Sequence, residues 1–270
     1  MLSLNDFLTH ANSSKLQEER IQMDRLTFYP GQLVVVGSRP GMGRTTFLLS
    51  ILNDLIAREE DGFLFLSNEA DEKSQIEKLL CQFTDTPHSE IDFSSVVNNH
   101  PALTSKNILF HYDKDSWENQ KETITSIIKM HNIRYLFIDK LQGIYSEKGF
   151  KTFKKHWDYI IKDLKQLAVD YNLVVFVTSN LKRTVARREG KYPVLSDFRG
   201  TATIEETCDQ ALLLHRPEYY GITEDINENS LVGIAEVIVA KNRIGETGTL
   251  IYKFDKSIPK FSPFDINLWQ

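Results

Sequence analysis

The sequence predicts an α/β fold: a mainly parallel central sheet flanked by helices, with a C-terminal antiparallel hairpin. Three observations carry this. Five short runs are apolar almost throughout: QLVVVG (32–37), FLFLS (63–67), YLFID (135–139), LVVFVTS (173–179) and QALLLH (210–215). Continuous apolar strands of this kind are buried on both faces, as in parallel sheets. Stretches of helical periodicity separate most of them, as crossovers between parallel strands require. Near the end, GIAEVIVAKNRIGETGTLIYKF (233–254) reads as two strands joined around Gly245 and Gly248, a hairpin signal.

In chain order, QLVVVG leads into TTFLLSILNDLIAREE (45–60), where Phe47, Leu48, Ile51, Leu52, Leu55 and Ile56 recur at helical spacing. FLFLS is followed by a helix within DEKSQIEKLLCQF (71–83), then by a loop that carries Pro87 and Pro101. ILFHY (108–112) is strand-like, and Glu118 to His131 is a helix candidate before YLFID. The clearest helix puts Phe153, Trp157, Ile160, Ile161, Leu164, Leu167, Ala168 and Tyr171 on one apolar stripe. Ligands of such sheets bind beyond the carboxyl ends of the strands. The motifs fall there.

Composition excludes several classes of function. A chain of 270 residues suits one sizeable domain, or one with short appendages. A net charge of −5 argues against a surface coated in basic residues for nucleic acid, while leaving room for a local basic groove. Cys81 and Cys208 show no CxxC spacing and the histidines no HxxxH spacing, so neither zinc nor a disulfide framework is expected. A reducing, cytoplasmic setting fits. No basic segment followed by an apolar run opens the chain, and no eighteen-residue apolar run crosses a membrane.

The run VVVGSRPGMGRTTFLLS, Val34 to Ser50, fits a phosphate-binding loop in its context, since a buried strand precedes it and a helix follows. The binding set is Ser38, Arg39, Pro40, Gly41, Met42, Gly43, Arg44, Thr45 and Thr46. Backbone N–H groups and the positive end of the helix dipole would face the phosphates of ATP, and the Thr45 hydroxyl would face Mg²⁺. Two positions depart from the pattern: Ser38 stands for its first glycine and Arg44 for its lysine. The exchange at 44 keeps the charge but spreads it over a planar fork. The competing reading is a strand-turn-helix junction whose glycines only relieve strain. Such a loop also needs an acidic residue at a neighbouring strand end to order Mg²⁺, which Asp139 supplies, although strand-terminal aspartates often cap helices. It needs a carboxylate to polarise water, and Glu69 lies just past the second strand.

Six blocks in fixed order resemble the C-terminal ATPase domain of DnaB-type replicative DNA helicases: GSRPGMGRTT, FLFLSNEA, YLFIDKLQG, VVFVTSNLKR, LSDFRGTATIEETCDQALLLHRPEYY and GIAEVIVAKNRIGETGT. They cover roughly residues 25 to 262. The resemblance implies a RecA-like P-loop NTPase, with ATP and Mg²⁺ as cofactors and an ATP-hydrolysing helicase as the activity. It gives Gly43, Arg44 and Thr45 to the phosphates and Mg²⁺, Glu69 to the activated water and Asp139 to Mg²⁺. Gln142 would link the γ-phosphate to the DNA-side loops. Lys241 and Arg243, in KNR, would reach the γ-phosphate of a neighbouring subunit in a ring of six; alone, the tripeptide reads as a solvated turn.

The family's rings surround single-stranded DNA. The segment 182–200 is strongly basic, and Arg183, Arg187, Arg188, Arg199 and Gly200 are the DNA-contact candidates, against a solvated-face reading for Arg187, Arg188 and Lys191. SEKGFKTFKKH (146–156) is a second basic segment near the other DNA loop of the family. Besides Arg44, the pattern breaks at Lys140, where an aromatic is usual, at TSNLKR for LSQLNR, and at RGTAT for RESGS, where Gly200 replaces an acidic residue. No counterpart of the family's helical N-terminal domain, which helps meet primase, is expected within these 270 residues. Residues 1–24 are expected to hold a linker-like helix (Leu2 to Arg20) and a connection, residues 25–270 the ATPase domain. The Met1 start favours a short family member over a piece of a longer chain. Two functions compete: a translocating helicase motor, or a degenerate nucleotide-binding paralogue that assists a true helicase, replication complex or mobile-element protein. The SDFRG and IEETCDQ blocks argue against a recombination or signalling ATPase.

Overall fold

The computed structural model describes residues 21–264, apart from 24, 25, 59, 61, 101, 102, 104 and 201. The helix expected between Leu2 and Arg20 lies outside the described residues. A small antiparallel ribbon, β1 (Ile21–Met23) and β2 (Leu26–Phe28), precedes the main sheet.

That sheet has nine strands: β3 (Leu33–Ser38), β4 (Phe63–Ser67), β5 (Ile108–Tyr112), β6 (Tyr135–Asp139), β7 (Val174–Asn180), β8 (Gln210–His215), β9 (Ile234–Asn242), β10 (Gly248–Asp255) and β11 (Lys260–Pro263). Their order is β11-β10-β9-β8-β3-β7-β6-β4-β5. From β8 to β5 every pairing is parallel, and β9, β10 and β11 continue the sheet antiparallel. The expected C-terminal hairpin is therefore a three-strand meander. KFSP is short and ends in proline, so nothing in its pattern announces β11.

Helices α1 (Arg44–Ala57), α2 (Glu72–Thr84), α3 (Phe93–Asn99), α4 (Trp117–His131), α5 (Phe153–Asp170) and α6 (Thr203–Thr207) connect these strands. Local chemistry sets their starts. Asp71, Asp92, Ser116 and Thr152 each accept a backbone N–H from the first turn of α2, α3, α4 and α5. Helix α1 has no side-chain cap. Its first N–H groups are left for the loop that precedes it. Helix α3 forms within the stretch read as a loop between Pro87 and Pro101.

Strand residues alternate between two cores. Val34, Val36, Phe63, Phe65, Phe137 and Phe176 pack with α1 on one face, while Leu33, Val35, Leu64, Leu66, Ile138 and Val177 pack with α4 and α5 on the other. An aromatic ladder crosses the first face: Phe65 lies 5.9 Å from Phe137, and Phe137 lies 4.8 Å from Phe176. These packed rings hold β4, β6 and β7 in fixed register, and with them the loops at their carboxyl ends.

Candidate functional site

Strand β3 runs out at Ser38, and the chain turns through Arg39, Pro40, Gly41, Met42 and Gly43 into α1. Gly41 and Gly43 hold φ of +82° and +91°, a region that favours glycine. Met42 is buried and anchors the turn. Gly41 and Pro40 are exposed. The Arg39 guanidinium donates to Leu181 O at 3.2 Å, and the Ser38 hydroxyl to Arg39 O at 2.8 Å. Thr46 turns its carbonyl to Ser50 and Gln82. A Cβ at Gly41 would strike Tyr219, whose 3₁₀ turn lies over the loop, and Arg216 donates to Gly41 O at 3.3 Å. Neither partner was expected from the sequence; the PEYY run carries no distinctive spacing.

The Thr45 hydroxyl donates to Asp139 Oδ2 at 2.5 Å, and Thr178 donates to the other carboxylate oxygen at 2.6 Å. Hydroxyl and carboxylate oxygens suit a hard cation. Among the described residues no cluster of three or more His, Cys, Asp or Glu could hold a metal by itself. One hydroxyl and one carboxylate beside a phosphate-sized turn match Mg²⁺ bound chiefly through a nucleotide and water.

Strand β4 pairs with β6 so that Ser67 lies opposite Asp139. Glu69, two residues on, therefore reaches the same rim, and its carboxylate is ion-paired with the Lys140 ammonium. The buried Asn68 fixes the Lys140 backbone, accepting its N–H at 3.2 Å and donating to its carbonyl at 2.9 Å.

Arg44 is docked on the ends of β3 and β7. Its guanidinium donates to Ser38 O and Ser179 O, each at 3.1 Å, and to Asn180 Oδ1 at 2.5 Å. Burial lowers its pKa from the ordinary value, while Asp139 and Glu69 pull the other way. Gln142 accepts the Asn180 N–H at 2.9 Å and donates to the Ser179 hydroxyl at 2.9 Å. Asn180 thus joins Arg44 to Gln142.

The same strand end leads into the basic segment. Leu181 N–H donates to Ser38 O, and Arg199 N–H donates to Asn180 O. Arg183, Arg187, Arg199 and Gly200 are exposed. Arg188 is not a free surface cation: it grips Asp197 through two bonds of 2.8 and 3.0 Å and clamps the segment on itself. Lys241 and Arg243 donate to carbonyls of Glu205 and Glu206 at the end of α6. Arg243 N–H bonds Asp209 O, and Asp209 N–H bonds Leu33 O, which places the pair beside the start of β3. The phosphate loop leaves the other end of that strand, about 17 Å away at 3.3 Å per residue. They do not join the site of their own chain.

The family model described as DnaB-like helicase C terminal domain matches residues 16–263. The chain belongs to that family. A probable plasmid replicative DNA helicase of Chlamydia psittaci is 28% identical over 260 residues, covering 92% of this chain and 54% of the relative. A probable replicative DNA helicase of Trieres chinensis is 29% identical over 252 residues, covering 88% and 55%. The chain spans about half the length of the curated relatives it matches. Among solved structures, the ATPase domain of G40P superposes with a TM-score of 0.83 at 25% identity, covering 97% of this chain and 99% of that one. A DnaB-like replicative helicase studied with primase gives 0.76 at 26% identity, covering 87% and 58%. The DnaB-like domain has the RecA-like fold. No helix among its described residues is long and apolar enough to cross a membrane.

Proposed function

We propose that this chain is the motor domain of a DnaB-like helicase, hydrolysing Mg²⁺-ATP and moving along single-stranded DNA in a ring of six. Residues 25–270 would form the motor and residues 1–24 the linker to a neighbour. The observation that carries the reading is the Thr45–Asp139 bond of 2.5 Å with Glu69 on the adjacent strand end. Gly41 to Thr46 would cradle the phosphates on N–H groups of the uncapped α1 terminus. Thr45 and Asp139 would hold Mg²⁺, which neutralises phosphate charge when bound. Glu69 would accept a proton from the attacking water. Gln142, bonded to the end of β7, would report the occupied site to segment 181–200. Exposed Arg183, Arg187, Arg199 and the Gly200 backbone would take the DNA phosphates. Lys241 and Arg243, remote from their own loop, would act on the neighbour's γ-phosphate. As in the solved DnaB-like relative, primase is a candidate partner.

A second reading, a nucleotide-binding paralogue with little hydrolysis, is favoured by two contacts. Arg44 is docked on Asn180 and Lys140 covers Glu69. Steady-state ATP turnover with and without single-stranded DNA separates the two. The motor reading expects DNA-stimulated hydrolysis by the native chain, lost in Glu69→Gln. Activity that emerges only in Arg44→Lys assigns the paralogue role.

A further inference from the structure

The segment around the start of α5 is unused by the reading above, although it carries the most exposed large aromatic near the DNA-facing loops. Phe153, in the first turn of α5, is 78% exposed. Its ring centroid lies 6.0 Å from that of Trp157, one helical turn on, with the planes tilted by 30°. Trp157 in turn lies against Gly200. A Cβ there would collide with the indole ring, and the φ of +99° is itself one that side chains rarely adopt. Replacement of the family's acidic residue by Gly200 therefore removes a negative charge from the DNA-facing loop and admits an indole beside its backbone.

The surroundings are cationic. Between Lys148 and Trp157 the chain has four lysines and no carboxylate, with Glu147 and Asp158 just outside. Lys151, Lys154 and Lys155 are exposed, as is Arg199 next to Gly200. A cleft of about 410 Å³ opens beside Phe153, with Phe150 and His156 on its wall. Burial lowers the His156 pKa, so the wall is neutral there near pH 7. Single flat rings interleaved with ammonium groups match a polymer that alternates flat bases with phosphates. A protein partner or a lipid surface would call for a wider continuous apolar patch.

We propose that Phe153 and Trp157 form a stacking shelf for an unpaired nucleobase of single-stranded DNA, with Lys151, Lys154, Lys155 and Arg199 on the flanking phosphates. The shelf deepens the motor reading and rests on it. Family-wide contacts to the DNA backbone would hold the strand at any base; this shelf adds a contact that vanishes when the base is removed.

The test compares fluorescein-labelled oligo-dT with an abasic oligonucleotide of equal length, by anisotropy, on the full chain with a non-hydrolysable ATP analogue. The native chain is expected to prefer the intact strand about tenfold. Phe153→Ala is expected to bind both strands equally with an unchanged salt slope, because the phosphate contacts persist. Phe153→Tyr restores the preference. Equal binding of both strands by the native chain overturns the shelf and leaves the motor reading standing. Binding of neither strand overturns both. A Phe153→Ala chain that keeps the preference but changes its assembled mass assigns this face to contact between copies, and likewise overturns the shelf.

Discussion

Arg44 donates to the Asn180 side chain at 2.5 Å, although the two lie 136 residues apart. Both positions depart from the family pattern, one lengthened from lysine and the other shortened from glutamine. The longer cation reaches the shorter amide, and the loop is tied to the end of β7. Arg44→Lys should release this tie. We expect turnover at saturating ATP to rise at least tenfold, about 1.4 kcal/mol off the barrier. Asn180→Ala, which removes one of the three acceptors of Arg44 without restoring lysine, should give a smaller gain. Steady-state kinetics on both variants check the ordering; a loss of turnover in Arg44→Lys contradicts it.

Lys140 sets a second restraint. The Lys140 ammonium is ion-paired with the Glu69 carboxylate, so an attacking water must displace it to reach that oxygen. Lys140→Met leaves the buried Asn68 bonds to the backbone at 140 intact. Basal ATP turnover should then rise several-fold. Glu69→Gln should lower turnover by about a hundredfold or more, the usual contribution of a general base. Measuring both in one assay checks direction as well as size, and the double variant should match Glu69→Gln alone.

The sheet was legible because strands buried on both faces are apolar almost throughout, and FLFLS and YLFID are polar only at their last residue. Helix α3 was not, since FSSVVNN has no apolar stripe and owes its start to the Asp92 cap. That Thr45, Glu69 and Asp139 share one rim was readable from the loop pattern and from two strand ends. Asn180 on Arg44 and Lys140 on Glu69 depend on strand order, with β6 between β7 and β4, and no local pattern encodes that order. Arg188 reads as one of a basic run until Asp197 turns back onto it. Local composition cannot distinguish a clamped arginine from a free one.

Lys241 and Arg243 give a prediction about assembly. If they act on the next subunit, chains carrying Glu69→Gln and chains carrying Lys241→Ala with Arg243→Ala are each inactive alone. Random mixing in equal amounts makes about a quarter of the interfaces complete in a closed ring. Turnover of the mixture should approach that fraction of native activity, measured after co-assembly with nucleotide. Zero recovery in rings shown by mass to be mixed would remove the trans role.

His215 supplies a prediction for stability against pH. It is buried on β8, 4.5 Å from the Tyr192 ring, and burial pushes its pKa down to about 4. The unfolded chain takes up this proton near pH 6.5, whereas the folded chain resists until about pH 4. Between those values the unfolded state binds more protons, so stability falls as pH falls. The full loss is on the order of 3 kcal/mol at 1.36 kcal/mol per pH unit. Glu236, paired with His215 across β8 and β9, is shifted upward by burial and titrates in the opposing sense. Comparing native protein with His215→Gln leaves Glu236 in both. Denaturant unfolding at a series of pH values should therefore show the native curve declining more steeply below pH 6.5, with the slopes converging again below about pH 4.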